Sequence, residues 1–144
     1  MAVYKKIIVG IDFSDKTDRA VHAALGLAKA TGGTVVLVHV VPPAVDGQRG
    51  APGSDTEVTR TIEQRLQDQA KQLTASSGAA VDYGVCEGEV VPELVRYVER
   101  WGGDVIVAAT EGRTGLGRIL VGSVAERLLQ KSPVPVLVVG PEVR

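Results

Sequence analysis

Apolar residues along this chain alternate between two rhythms. Ile7, Ile8, Val9 and Ile11 form an almost unbroken run between Lys5 and Asp12, the pattern of a strand buried on both faces. From Ser14 to Ala30 the positions Ala20, Ala23, Ala24, Leu27 and Ala28 recur at helical spacing, and Gly32-Gly33 supplies a stop. Thr34 to Val41 is a second β-branched run, closed by Pro42-Pro43. The three glycines and three prolines from Pro42 to Gly53 predict a mobile surface loop. Ser54-Asp55-Thr56-Glu57 matches a capping box, and Val58, Ile62, Leu66, Ala70 and Leu73 mark one face of the helix it opens, ending near Ser76-Ser77-Gly78.

The second half repeats the alternation. Val81, Tyr83 and Val85 interleave with Asp82 and Gly84, a short third strand with one wetter face, placed near an edge. Pro92 suits the first turn of a helix whose buried side carries Val91, Leu94, Val95, Val98 and Trp101. Val105 to Ala109 is a fourth, nearly all-apolar strand. After a glycine-rich loop, Ser123 starts a last helix with Val124, Ala125, Leu128 and Leu129 inward, and Val134 to Val139 form the fifth strand. Strands alternating with helices require right-handed crossovers and a mainly parallel sheet. The predicted class is α/β, a three-layer open sandwich of five strands in the order 3-2-1-4-5 with helices on both faces, and residues 1–144 read as one domain. In such sheets a ligand sits beyond the carboxyl ends of the strands, where the strand order reverses, which directs attention to Asp12, Val40, Glu87 and the loop after Ala109.

Composition narrows the function classes. The chain has 144 residues, 44% hydrophobic and 23% charged, with a formal net charge of -1. This is globular composition, and with no dense basic run it predicts neither nucleic-acid binding nor membrane insertion. Cys86 stands alone, His22 and His39 lack zinc-site spacing, and the amino terminus lacks the apolar core of a signal peptide. The expectation is a cytoplasmic protein. The third strand ends Cys86-Glu87 without an acceptor aspartate, which disfavours a phosphoacceptor receiver domain.

The loop from Ala109 to Ser123 holds four glycines between a buried strand and a helix start. Glycine lets backbone N–H groups converge without Cβ obstruction, and the helix start adds unpaired N–H groups and a positive dipole end; phosphate is the natural guest. From Ala109 to Lys131, Arg113, Arg118, Arg127 and Lys131 outweigh Glu111 and Glu126. Two familiar phosphate loops fail here. Arg118-Ile119 replaces the Lys-Ser/Thr of a Walker A loop, and Leu120 stands where a dinucleotide fingerprint needs its third glycine.

At this loop the sequence resembles the universal stress protein family, in its ATP-binding branch. That pattern runs Gly, two residues, Gly, nine residues, Gly, then Ser or Thr; Gly112, nine residues and Gly122-Ser123 match its second half, and Ala109 replaces the first glycine. Lys6-Ile7-Ile8-Val9 leading to Asp12 and Ser14, Val38-His39-Val40, Asp104-Val105-Ile106-Val107, Gly122-Ser123-Val124-Ala125-Glu126-Arg127 and Pro135-Val136-Leu137-Val138-Val139 extend the likeness along most of the chain. The resemblance implies a nucleotide across the ends of the first and fourth strands, with Asp12 near the ribose and the backbone of Val40 toward adenine. It further implies Ala109 and Gly112 along ribose and phosphates, and Gly122, Ser123 and the N–H of Val124 on the phosphates. Gly10, Ile11 and Arg113 complete the implied nucleotide-binding set. The implied cofactor is ATP, or AMP or another adenine nucleotide, with Mg2+ accompanying ATP. The implied partner is a second copy, paired through Val134 to Val139. Glu111 stands where the family often has His or Arg, and a carboxylate there would point to solvent or pair with Arg113 rather than face phosphates.

Blander roles compete at single residues. Ser123-Val124-Ala125-Glu126 is itself a capping box, with Ser123 as a plain N-cap. Asp12 could serve only to cap the next helix, and His39 to make a local hydrogen bond at a strand end. No nucleophile elbow or Walker lysine is present, so no catalytic residue is assigned. The leading function is a stress-response or regulatory protein that binds ATP. The alternatives are a family member that binds no nucleotide and acts through protein contacts, and a slow ATPase or phosphotransferase using Asp12.

Overall fold

The computed structural model describes residues 4–43, 54–113 and 119–141. Most of the expected loop after Val41, the stretch after Arg113, and the side chains of residues 54–56, 112–113 and 119–120 lie outside the described residues. The elements follow the predicted alternation: β1 (Lys6–Gly10), α1 (Asp15–Thr31), β2 (Thr34–Val41), α2 (Ser54–Ser77), β3 (Ala80–Glu87), α3 (Val90–Trp101), β4 (Val105–Ala109), β5 (Gly112–Arg113), β6 (Ile119–Leu120), α4 (Ser123–Lys131) and β7 (Val136–Val139). The main sheet is parallel in the order β3-β2-β1-β4-β7, which is the predicted order with β7 as its fifth strand.

The apolar runs are explained by the two cores they serve. Successive strand side chains point to opposite faces. Ile7, Val9, Val35, Leu37, Val105 and Val107 therefore face α1 and α2, with Ala20, Ala24, Leu66 and Ala70. Ile8, Val36, Val38, Val40 and Ile106 face α3 and α4, with Leu94, Val98 and Leu128. Asp104 ties the sheet's amino-terminal end together, since its Oδ2 accepts from the amides of Lys5 and Lys6 at 3.0 and 2.9 Å.

The structure departs from the expectations in four places. The third strand, expected to be short, is eight residues long and pairs with β2 along its whole length; Gly84 lies within it as expected, and a Cβ there would lie 2.7 Å from the Tyr97 hydroxyl. The glycine-rich loop contains a two-stranded antiparallel hairpin, Gly112 opposite Leu120 and Arg113 opposite Ile119. Val58 on α2 and Val124 and Leu129 on α4 are exposed rather than inward, leaving Ala125 and Leu128 as the buried residues of α4. Ser123 is not the N-cap of α4: Gly122 holds that place and accepts the first helical bond, from the amide of Glu126 at 3.1 Å, so the capping box at Ser123 does not form.

Candidate functional site

A cavity of about 180 Å³ opens at the carboxyl ends of β1, β2 and β4, between α3 and α4. The strand order reverses here: the connection out of β1 leads to one side of it and β4 lies on the other, which opens a crevice above the sheet. Val38, Leu94, Val107 and Leu128 make its floor apolar, while Asp12, Lys16, His39 and Glu111 bring polar atoms to its wall. Its volume is below the roughly 300–1,000 Å³ usual for ligand clefts.

Six of the ten predicted site residues line this cavity: Gly10, Ile11, Asp12, Val40, Ala109 and Val124. Gly122 adjoins it, between the lining residues Val121 and Val124. Ser123 opens α4 without lining the cavity, and Gly112 and Arg113 form the hairpin strand β5. Glu87, at the end of the edge strand β3, does not line it either.

The polar wall begins where β1 runs out. The amide of Ile11 still donates to the carbonyl of Val38 at 2.8 Å, and the imidazole of His39 approaches the Ile11 carbonyl with Nδ1 at 2.6 Å. A carbonyl only accepts, so Nδ1 carries the proton, and His39 has the local role expected of it. Asp12 then turns the chain into α1. Its Oδ1 accepts from the amide and hydroxyl of Ser14 at 2.8 and 2.5 Å, an Asx turn ahead of the N-cap, Ser14. Partial burial pushes the Asp12 carboxyl up, but the two bonds from Ser14 and the charge of Lys16 outweigh it and hold the group below the usual aspartate value. Between them Phe13 sits at φ 62°, a conformation uncommon outside glycine. Its ring is held by the Arg65 guanidinium, 4.0 Å from the ring centroid, and by His39 at 5.0 Å.

The far wall is the loop that leaves β4. Arg19 reaches from α1 to donate to the Thr110 carbonyl at 2.8 Å, which fixes the loop's exit and turns Glu111 toward Lys16. The ammonium of Lys16 donates to Glu111 Oε1 at 2.9 Å and lies 3.7 Å from Asp12 Oδ2. The hydrogen bond to Glu111 is the main reason the Lys16 ammonium is held above the ordinary lysine value; partial desolvation opposes it and the two carboxylate charges add to it. Glu111 therefore pairs with Lys16, a partner the sequence did not suggest, while remaining exposed; the side chain of Arg113, the partner it did suggest, lies outside the described residues. The Glu111 side chain also covers Gly122: a Cβ there would meet Glu111 Cγ at 2.8 Å and Oε1 at 3.0 Å.

Sequence reasoning missed Lys16 and Phe13. A cation in the first turn of a helix opposes the helix dipole, which marks Lys16 as needing a partner. Its 95-residue separation from Glu111 hid which one. Cys86 is partly buried, and desolvation first, then the Glu93 carboxylate, raises its thiol above the ordinary value, in keeping with a packing role.

Comparison with known proteins bears on this geometry. The model of the universal stress protein family matches residues 3–140. A universal stress protein of Methanocaldococcus jannaschii is 34% identical over 140 residues, covering 95% of this chain and 82% of its own length. A solved universal stress protein in complex with cAMP is 27% identical with a TM-score of 0.69, covering 95% of this chain and 97% of that one. One from Archaeoglobus fulgidus in complex with dAMP has a TM-score of 0.67 and covers 94% of this chain and 98% of that one; at 23% identity it speaks for the shared fold alone. The family match spans every strand of the sheet and every residue around the cavity, and so the chain belongs to the universal stress protein family.

Proposed function

We propose that this chain binds an adenine nucleotide in the cavity at the ends of β1, β2 and β4 and acts as a regulatory binding protein, not as an enzyme. The observation that carries the reading is that Gly10, Asp12, Val40, Ala109 and Val124, chosen from sequence, line one cavity at the point where the strand order reverses. The relative solved with cAMP supports the ligand class. Adenine would enter the apolar part between Val38, Val40 and Leu128, the ribose would lie toward Asp12, and the phosphate end would face the amides that open α4, which lack intrahelical partners.

Within that class the loop spacing favours ATP, and Glu111 weighs against it. Magnesium would come on the nucleotide's phosphates: Asp12 and Glu111 face one ammonium, and the described residues hold no group of three His, Cys, Asp or Glu side chains suited to a metal ion. Asp12 is committed to Ser14 and Lys16, which argues against its use as a base. Asp12→Asn would bind normally yet lose turnover only if the slow-ATPase alternative were correct. A purely protein-binding role gains weight from Ala109 in the place of the pattern's first glycine and from the carboxylate over Gly122.

We further place the protein in the cytoplasm, as a dimer. Among the described residues no helix is long and apolar enough to cross a membrane. β7 is an edge of the sheet with Leu137 exposed, and such an edge invites pairing. Light scattering at micromolar concentration should give twice the chain mass; a monomer would remove the dimer. Calorimetric titration with AMP, cAMP and ATP, the last with and without magnesium, tests the function. Saturable binding of at least one is expected, and no heat with any of them at millimolar concentration would reject it.

A further inference from the structure

The end of the cavity that would receive phosphate already contains an anion. Glu111 lies over the open face of Gly122, with Cγ 2.8 Å and Oε1 3.0 Å from the point a Cβ would occupy. This is the mouth of α4, where free amides and the helix dipole favour negative charge. Oε1 accepts from Lys16 at 2.9 Å, which holds the carboxylate over Gly122 in this arrangement. Lys16 is also shared with Asp12 at 3.7 Å, so among the described residues two carboxylates of the polar wall share one ammonium. The free volume beside them, about 180 Å³, falls short of the usual range for a whole ligand cleft.

We propose that Glu111, positioned by Lys16, is a specificity-determining residue that limits the phosphate charge of the ligand, so that the site prefers an adenine nucleoside or a singly charged cyclic monophosphate over a triphosphate. The inference rests on the adenine-nucleotide reading and adds to it which member of the class is accepted. A ligand without phosphate leaves the Glu111–Lys16 pair intact. A triphosphate must either displace the carboxylate, giving up that pair, or lie against it with like charges a few ångströms apart, and either way the triphosphate loses affinity while the nucleoside does not.

The test is a set of dissociation constants for adenosine, cAMP and ATP, measured by calorimetry without magnesium at fixed ionic strength on wild type, Glu111→Gln and Glu111→Ala. The glutamine variant removes the charge and keeps the length; the alanine variant removes both. In wild type, ATP should bind more weakly than adenosine. In both variants the ratio of ATP to adenosine dissociation constants should fall, by about fivefold, or about 1 kcal/mol, and adenosine affinity should stay within about twofold, which also reports that the variants are folded. Wild type binding ATP more tightly than adenosine, or a fall of less than threefold in both variants, overturns the proposal. No binding of any of the three ligands to any of the three proteins has a different meaning: the cavity is then not an adenine site, and the reading beneath this one fails with it.

Discussion

Replacing Gly122 with alanine probes the junction on which the site depends. The residue has φ 83° and ψ 154°, a region that only glycine occupies readily, and holding another residue there costs about 1–3 kcal/mol. The new methyl would also stand 2.8 Å from Glu111 Cγ. That side chain can swing away, but it would surrender the bond to Lys16, whose two side chains are 35% and 46% exposed; an ion pair so open to water contributes at most about 1 kcal/mol. Backbone strain is therefore the larger part. Urea unfolding of Gly122→Ala, Glu111→Ala and the double variant separates the two. Gly122→Ala should lose about 2–3 kcal/mol, and about two-thirds of that loss should persist beside Glu111→Ala. A loss below 0.5 kcal/mol, or one that vanishes in the double variant, would refute the assignment of strain to this residue. With the predicted loss, Gly122 substitutions change stability as well as any phosphate space, so ligand binding is read on variants of other residues.

Two other perturbations follow from packing and charge. Gly33→Ala would place a Cβ 2.5 Å from the Lys5 carbonyl oxygen and 2.7 Å from its Cα; backbone cannot rotate aside, so thermal unfolding should show a loss of about 1–3 kcal/mol, and an unchanged midpoint would contradict the register of β1 on β2. Asp12 has its pKa lowered in the folded chain, so its contribution is complete above the unfolded value and fades as pH falls through the lower folded value. Stability of the wild type should decline more steeply than that of Asp12→Asn below about pH 4, with parallel curves there as the contrary result.

The fold was legible because its strands are buried on both faces. Ile7 to Val9, Val35 to Val38 and Val105 to Val107 are apolar without interruption, and the helices between them carry one apolar stripe each. Where a signal rested on local pattern alone it blurred. A two-residue hairpin strand has too few positions to show an alternation. Ser123 resembled an N-cap by type, but the backbone turn at Gly122 moved the cap by one residue. The cavity's location was legible from topology and loop chemistry, since strand ends bring Gly10, Val40 and Ala109 together whatever their side chains. Its charge was not: the pairing of Lys16 with Glu111 joins the start of α1 to the exit of β4, and neither neighbourhood in sequence points to the other.

The most direct measurement is a methyl-resolved NMR titration with AMP or cAMP. Binding at the ends of β1, β2 and β4 predicts saturable shifts at Val38, Val40, Val107, Val124 and Leu128, which line the cavity, with Leu66 and Ala70 on the opposite face of the sheet unmoved. Shifts confined to the groove between α2 and β3, around Ala70, Ala75 and Val81, or none at millimolar nucleotide, would contradict it.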